Sequence, residues 1–173
     1  MRNRPVTNLR LMTESDLSMV LHWRNHASIR SNMYNQKEIS FEEHSNWFKR
    51  VSIDPKRRIL ILDVDTSAMG YVSFCCDENG SAIWGFYTSP DSPKGTGKML
   101  GKASIAYAFQ ELILDTICGE VLQSNLASQN FHLQLGFVFD SCFIKDVDGG
   151  KKYNIHRYLL TRDRWSQQRG VAK

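Results

Sequence analysis

The stretch S-P-K-G-T-G (92–97) sets a proline and two glycines directly before a long helical pattern, with Lys94, Lys98 and Lys102 clustered around it. Amides at a helix start have no intrahelical acceptor, and the aligned peptide dipoles add positive potential there. Gly95 and Gly97 lack side chains that would block close approach, so the chemistry points to an anion, and a pyrophosphate suits it. Spacing then tests two nucleotide loops. The pattern G-x-x-x-x-G-K-[ST] requires glycine and a hydroxyl where this chain has Ser92 and Met99. The pattern G-x-G-x-x-G is met at Gly95 and Gly97, but the third glycine is Gly101, one place late. Both loops are excluded. The glycines alone also suit a plain strand-to-helix turn.

Other reactive side chains are sparse. The four cysteines, Cys75, Cys76, Cys118 and Cys142, form no CxxC and have no histidine at zinc-ligand spacing. They read as reduced, mostly buried thiols, and no metal is expected. A net charge of +4 is too mild to imply nucleic acid. No apolar run is long enough for a membrane span, and the opening MRNRPVTNLRLM lacks the apolar core of a leader. A cytoplasmic protein is expected, with no nucleic-acid or membrane partner.

These residues must be positioned by regular elements. NLRLM (8–12) reads as a strand. T-E-S-D (13–16) and S-F-E-E (40–43) are capping-box patterns, each opening a helix, the first with Leu17, Val20 and Leu21 on one face. The second carries Phe41, His44, Phe48 and Val51 at helical spacing and stops near Asp54-Pro55. RILILDV (58–64), GYVSFCC (70–76) and SAIWGFYT (81–88) are rich in β-branched and aromatic residues, divided by the turn-like DTSAMG and DENG. A helix is predicted over 96–114, a strand over 117–122, a short helix near 127–134, and strands over 137–144 and 154–160. The last two are joined by the Gly-Gly of DVDGGKKY. The fold class is α/β: one domain over 1–173, with a mixed, largely antiparallel, seven-stranded twisted sheet and about four helices.

At this point the chain resembles the GCN5-related N-acetyltransferases. Their acetyl-CoA signature, [RQ]-x-x-G-x-[GA], meets S-P-K-G-T-G here, with Ser92 in place of Arg or Gln. A second feature, N-x-x-[AS]-x-x-x-[YH]-x-x-x-G-F, is met by Asn125, Ser128, His132, Gly136 and Phe137. The resemblance covers nearly the whole chain. WRN (23–25), H-x-x-W (44–47), WGFY (84–87), YAF (107–109) and EVL (120–122) further resemble one subfamily. It acetylates the 4-amino group of a UDP-linked 4-amino-4,6-dideoxy-N-acetyl sugar, in pseudaminic acid synthesis for flagellin glycosylation.

The resemblance implies acetyl-CoA as co-substrate. It would be held by Lys94, Gly95, Thr96, Gly97, Lys98 and Asn125, with the pantetheine arm along Trp84–Thr88. An amide near Phe86 or Tyr87 would serve as oxyanion donor, and Thr88 would extend that strand contact. Glu120 is implied as the base for the amine, and His132, where many members have Tyr, as the acid for the thiolate or only a CoA contact. For a UDP-amino-sugar partner, Arg24 and His44 are implied as diphosphate contacts, with Trp23, Tyr87 and Ser73 lining the acceptor side. Core packing is the alternative for Trp23, Tyr87 and His44, a strand-end glutamate for Glu120, and an ordinary strand serine for Ser73. Direct attack in a ternary complex is preferred to an acetyl-enzyme. Competing readings are a protein N-terminal or aminoglycoside-type acetyltransferase and a non-catalytic CoA-binding module. A homodimer is left open.

Overall fold

The computed structural model describes residues 5–147 and 150–170. The first residues of the stretch read for a leader, and Asp148–Gly149 of the hairpin signal, lie outside them. Seven strands hydrogen-bond in the order β1-β2-β3-β4-β5-β7-β6. They are β1 Thr7–Leu11, β2 Arg57–Val64, β3 Ser67–Cys76, β4 Ser81–Thr88, β5 Thr116–Leu122, β6 Val138–Val147 and β7 Lys151–Thr161. β1 with β2, β2 with β3, β5 with β7 and β6 with β7 pair antiparallel, and β4 runs parallel to β5 from Ser81↔Thr116 to Trp84↔Gly119. Among the described residues the helices number six rather than about four: α1 Leu17–Asn25, α2 Ala27–Arg30, α3 Phe41–Ser52, α4 Thr96–Gln110, α5 Leu126–Gln134 and α6 Arg162–Gly170. None is long and apolar enough to cross a membrane.

The two helices absent from the sequence reading have plain causes. α2 is a single turn, too short for periodicity, and starts where the His26 side chain accepts from Ser28 N–H. α6 is polar nearly all round and is held by Trp165 against Phe109 and by Arg164 Nε on the Gly136 carbonyl. The predicted helix over 96–114 ends early, because Glu111 and Leu112 N–H both turn back to the Tyr107 carbonyl. Ile113 then adopts φ 55°, which a β-branched residue cannot hold within a helix.

The chain divides into two compact units. One holds the chain up to Cys75 together with Phe86–Ser104. Its core packs Met12, Leu17, Val20, Trp23, Ile29 and Phe48 of the helical segment onto Ile59, Ile61 and Tyr71 of β2 and β3. The S-F-E-E capping box forms as read: Ser40 Oγ accepts from Glu43 N–H at 3.1 Å and the Glu43 carboxylate accepts from Ser40 N–H at 2.7 Å. At T-E-S-D the Asp16 carboxylate accepts from Thr13 N–H at 2.8 Å, closing a short 3-10 turn (Glu14–Asp16) before α1.

The second unit holds Cys76–Gly85 and the chain from Ile105 onward. Its core packs Trp84 against Phe137 and surrounds His132 with Trp84, Phe137 and Tyr158. α5 stops at Gly136, whose φ of 94° frees Phe137 N–H to reach the His132 carbonyl at 3.1 Å. All four cysteines are unbridged, but they are less buried than expected: Cys142 is exposed and the other three are partly exposed.

Candidate active site

In the first unit the glycine turn opens α4. Gly95 has φ 97°, a left-handed conformation that side chains resist, and a Cβ there would meet nothing within 4 Å. Its glycine thus serves the turn's shape rather than relief of crowding. Thr96 is buried and anchors the turn through Oγ1 to the Pro93 carbonyl at 2.8 Å. It faces inward as a brace, so its side chain is not a ligand contact. Lys94, Lys98 and Lys102 are exposed around it. An unobstructed helix start ringed by lysines fits a pyrophosphate.

The acceptor-side residues named from sequence separate into two groups. Trp23 is 5% exposed and lies in the core, so it is not available to a substrate; its spacing from Leu17 and Val20 puts it on the buried face of α1. Ser73 bonds with the Tyr71 hydroxyl on the same strand face, and burial pushes the Tyr71 phenol up to about 12. Tyr87 stacks on Tyr71 with centroids 4.6 Å apart and planes 11° apart.

Arg24 and His44 have a different character. Arg24 Nη2 donates to the Asn35 carbonyl at 2.6 Å, while Nη1 is buried without a hydrogen-bond partner. His44 is 5% exposed, stacks on Trp47 at 5.1 Å, and its Nε2 is likewise buried without a partner. Burial, then the nearby Arg24 charge, depresses the His44 pKa; burial also depresses that of Arg24. Buried polar atoms are rarely left unpaired, because losing water without a replacement bond costs about 1–3 kcal/mol. Arg24 Nη1 and His44 Nε2 are two such atoms, and the Arg24 charge reaches the His44 ring.

In the second unit the implied catalytic pair lies on opposite faces of β5. A Cβ on Gly119 would overlap His132 Nε2, so α5 covers the face to which Gly119 belongs. Successive strand residues point to opposite faces, so Glu120 points away from His132. Its carboxylate is 6% exposed, bonded to Lys145 Nζ at 2.6 Å and to Arg157 Nη2 at 3.2 Å. Burial raises its pKa, but the two cations outweigh this and hold it below the usual carboxylate range. Glu120 is therefore ionised at neutral pH.

His132 is 2% exposed, and both ring nitrogens are engaged. The Trp84 indole N–H can only donate, so Nε2 accepts from it, at 3.1 Å. Nδ1 then carries the proton and donates to the Ser128 carbonyl at 2.7 Å. Burial keeps the ring neutral. This corrects the expected acid role, because the one N–H is committed to the backbone and none faces a departing thiolate. Asn125 caps α5, its Oδ1 accepting from Ser128 N–H at 3.0 Å. The residues that sequence reasoning missed are Lys145 and Arg157, which reach Glu120 only through the β5-β7-β6 register. No local pattern announces them.

The model of the acetyltransferase (GNAT) domain matches residues 7–138, and the chain belongs to that family; it is an N-acetyltransferase. Family members use acetyl-CoA, which the Gly95 turn suits. The chain is 28% identical over 130 residues to "Acetyltransferase PseH" from two Campylobacter jejuni strains, covering 75% of this chain and 82% of theirs. Its fold is similar to the spermidine N-acetyltransferase of Vibrio cholerae in complex with CoA and spermine, with TM-score 0.83, 19% identity, and 92% and 98% of the two chains covered. A dodecameric form of that spermidine enzyme gives TM-score 0.76 at 18% identity, covering 94% and 97%.

Proposed function

We propose that the chain transfers acetyl from acetyl-CoA to the 4-amino group of a UDP-linked 4-amino-4,6-dideoxy-N-acetyl sugar, a step of pseudaminic acid synthesis. The observation that carries this reading is the pair of buried, unpartnered nitrogens at Arg24 Nη1, a donor, and His44 Nε2, which donates in the tautomer protonated there. A diphosphate supplies the oxygens Arg24 lacks, whereas a polyamine would bring further positive charge to a guanidinium already depressed by burial. The likeness to the Campylobacter acetyltransferases supports the same choice.

In this reading the Lys94–Lys98 turn takes the CoA pyrophosphate, and Phe86, Tyr87 and Thr88 supply backbone contacts to the pantetheine arm and the thioester oxygen. Asn125 contributes through the α5 start it caps. The neutral amine attacks the thioester carbonyl, the C–N bond forms, and the C–S bond breaks as the tetrahedral carbon collapses. Glu120, ionised, accepts the amine proton directly or through water; the thiolate takes its proton from solvent rather than from His132. Tyr87 packs beside the acceptor, and no acetyl-enzyme forms.

Arg24→Ala tests this reading. Loss of a charged hydrogen bond of about 1.5–3 kcal/mol should raise KM for the UDP-sugar roughly ten- to hundredfold, with KM for acetyl-CoA nearly unchanged. The reverse pattern would mean that Arg24 belongs to the donor pocket.

A further inference from the structure

Arg24 has two jobs that pull in different directions on one guanidinium. Nη2 is committed to a backbone carbonyl of the segment between α2 and α3, at Asn35. Nη1, on the same plane, is buried with nothing to bond. The next residue, Asn25, clasps the same segment from the other end. Its Nδ2 donates to the Ile39 carbonyl at 2.8 Å and its Oδ1 accepts from Ile39 N–H at 2.9 Å, a two-bond copy of a strand pairing. Within the segment, Lys37 N–H bonds the Asn35 side chain at 3.0 Å and Gln36 bonds the Ser31 carbonyl at 3.1 Å. Arg30 pairs with Glu38 at 3.1 Å.

We infer that Asn25 is a positioning residue for the acceptor: it holds residues 31–40 as a strap across the end of α1, and the strap aims the free edge of Arg24 at an anionic group of the acceptor. The physical reason lies in the rigidity of the guanidinium. Its N–H groups lie in one plane with fixed angles, so anchoring Nη2 on Asn35 sets where Nη1 points. If the strap shifts, Arg24 follows it or loses its carbonyl, and either way the ligand bond is misaimed. Strap order and anion binding are therefore linked, and each must strengthen the other by the same factor. Asn25 itself touches no ligand in this scheme. Its pairing with the Ile39 backbone needs an amide side chain, since a carboxylate would lose the donor and an aliphatic group both bonds.

This inference rests on the proposed anion-bearing acceptor, and the test separates the two. Amide hydrogen exchange across 31–40 and the Kd for uridine diphosphate, for inorganic pyrophosphate and for acetyl-CoA are measured on the full chain and on Asn25→Ala. Asn25→Asp, which keeps the acceptor for Ile39 N–H, is the second variant if the first folds poorly, and an unchanged acetyl-CoA Kd reports an intact fold. The expected result is slower exchange at Asn35–Ile39 when uridine diphosphate binds the native chain. Asn25→Ala should speed that exchange and weaken uridine diphosphate by about tenfold or more. Faster exchange with unchanged diphosphate affinity would overturn the linkage. Failure of uridine diphosphate to bind the native chain, with pyrophosphate still bound and still weakened by Asn25→Ala, would sink the nucleotide-sugar reading and leave the strap standing. Binding of neither anion would overturn both.

Discussion

Gly119 has no room for a methyl group: a Cβ there would overlap His132 Nε2 and lie 3.2 Å from Trp84 Nε1. The imidazole cannot retreat without breaking its bond to the indole and its bond to the Ser128 carbonyl. Gly119→Ala should therefore cost about 1–3 kcal/mol, the range for overpacking a filled core. Most of that loss should disappear in a His132→Ala background, which a double-mutant cycle in urea would read as a coupling of opposite sign to the single change. Simple additivity would show that His132 is not the wedge described. Glu120 allows a chemical prediction on the same strand. Two cations hold its carboxylate ionised, so activity should not fall through protonation of Glu120 anywhere near neutral pH. Glu120→Gln should lower kcat by about a hundredfold or more with little change in KM for acetyl-CoA. An unchanged rate would remove it as the proton acceptor.

At the scale of elements, the start of α1 depends on a carboxylate shared between a turn and a guanidinium. Arg10 reaches both oxygens of Asp16 at 2.8 Å and one of Asp63 at 2.8 Å, tying β1 and β2 to the 3-10 turn that leads into α1. The Arg10 hydrogen bond holds the Asp16 pKa below its usual value against the opposing effect of burial. A depressed carboxylate pKa contributes stability above about pH 4 that is lost as pH falls through the native value. Arg10→Ala should cost on the order of 2 kcal/mol at neutral pH and flatten the acid limb of the stability curve, as followed by denaturant melts between pH 2 and 7. An acid limb identical to that of the native chain would contradict the assignment. Both capping boxes around this region were legible in sequence, because their partners lie three residues apart. The clasp of Asn25 on Ile39 was not, since it spans fourteen residues of chain without regular pattern. Nor were α2 and α6, one shorter than a helical period can show and the other nearly without apolar residues.

Across the whole molecule, the order of the strands could be read because most of them, β2, β3 and β4 above all, are compact runs rich in β-branched and aromatic residues. The turn that opens α4 was legible for a similar reason, its glycines and lysines being contiguous. The surroundings of the acceptor-side and catalytic candidates needed three dimensions. Trp23 proved to be core although its neighbour Arg24 is not, and His132 proved to be a wedge with its proton committed. Two buried histidines also set a global pH response. Burial depresses the pKa of both His44 and His132, so the stability they support is complete above about pH 6.5 and declines as pH falls through their native values. Thermal melts should show this decline, and His132→Phe should lessen it. The most direct measurement is initial thiol release from acetyl-CoA with three acceptors at equal concentration: a UDP-linked 4-amino-4,6-dideoxy-N-acetyl sugar, spermidine, and a peptide with a free N-terminus. The arrangement at Arg24 and His44 predicts turnover on the nucleotide sugar at least about a hundredfold above the other two. Faster turnover on spermidine or on the peptide would contradict it.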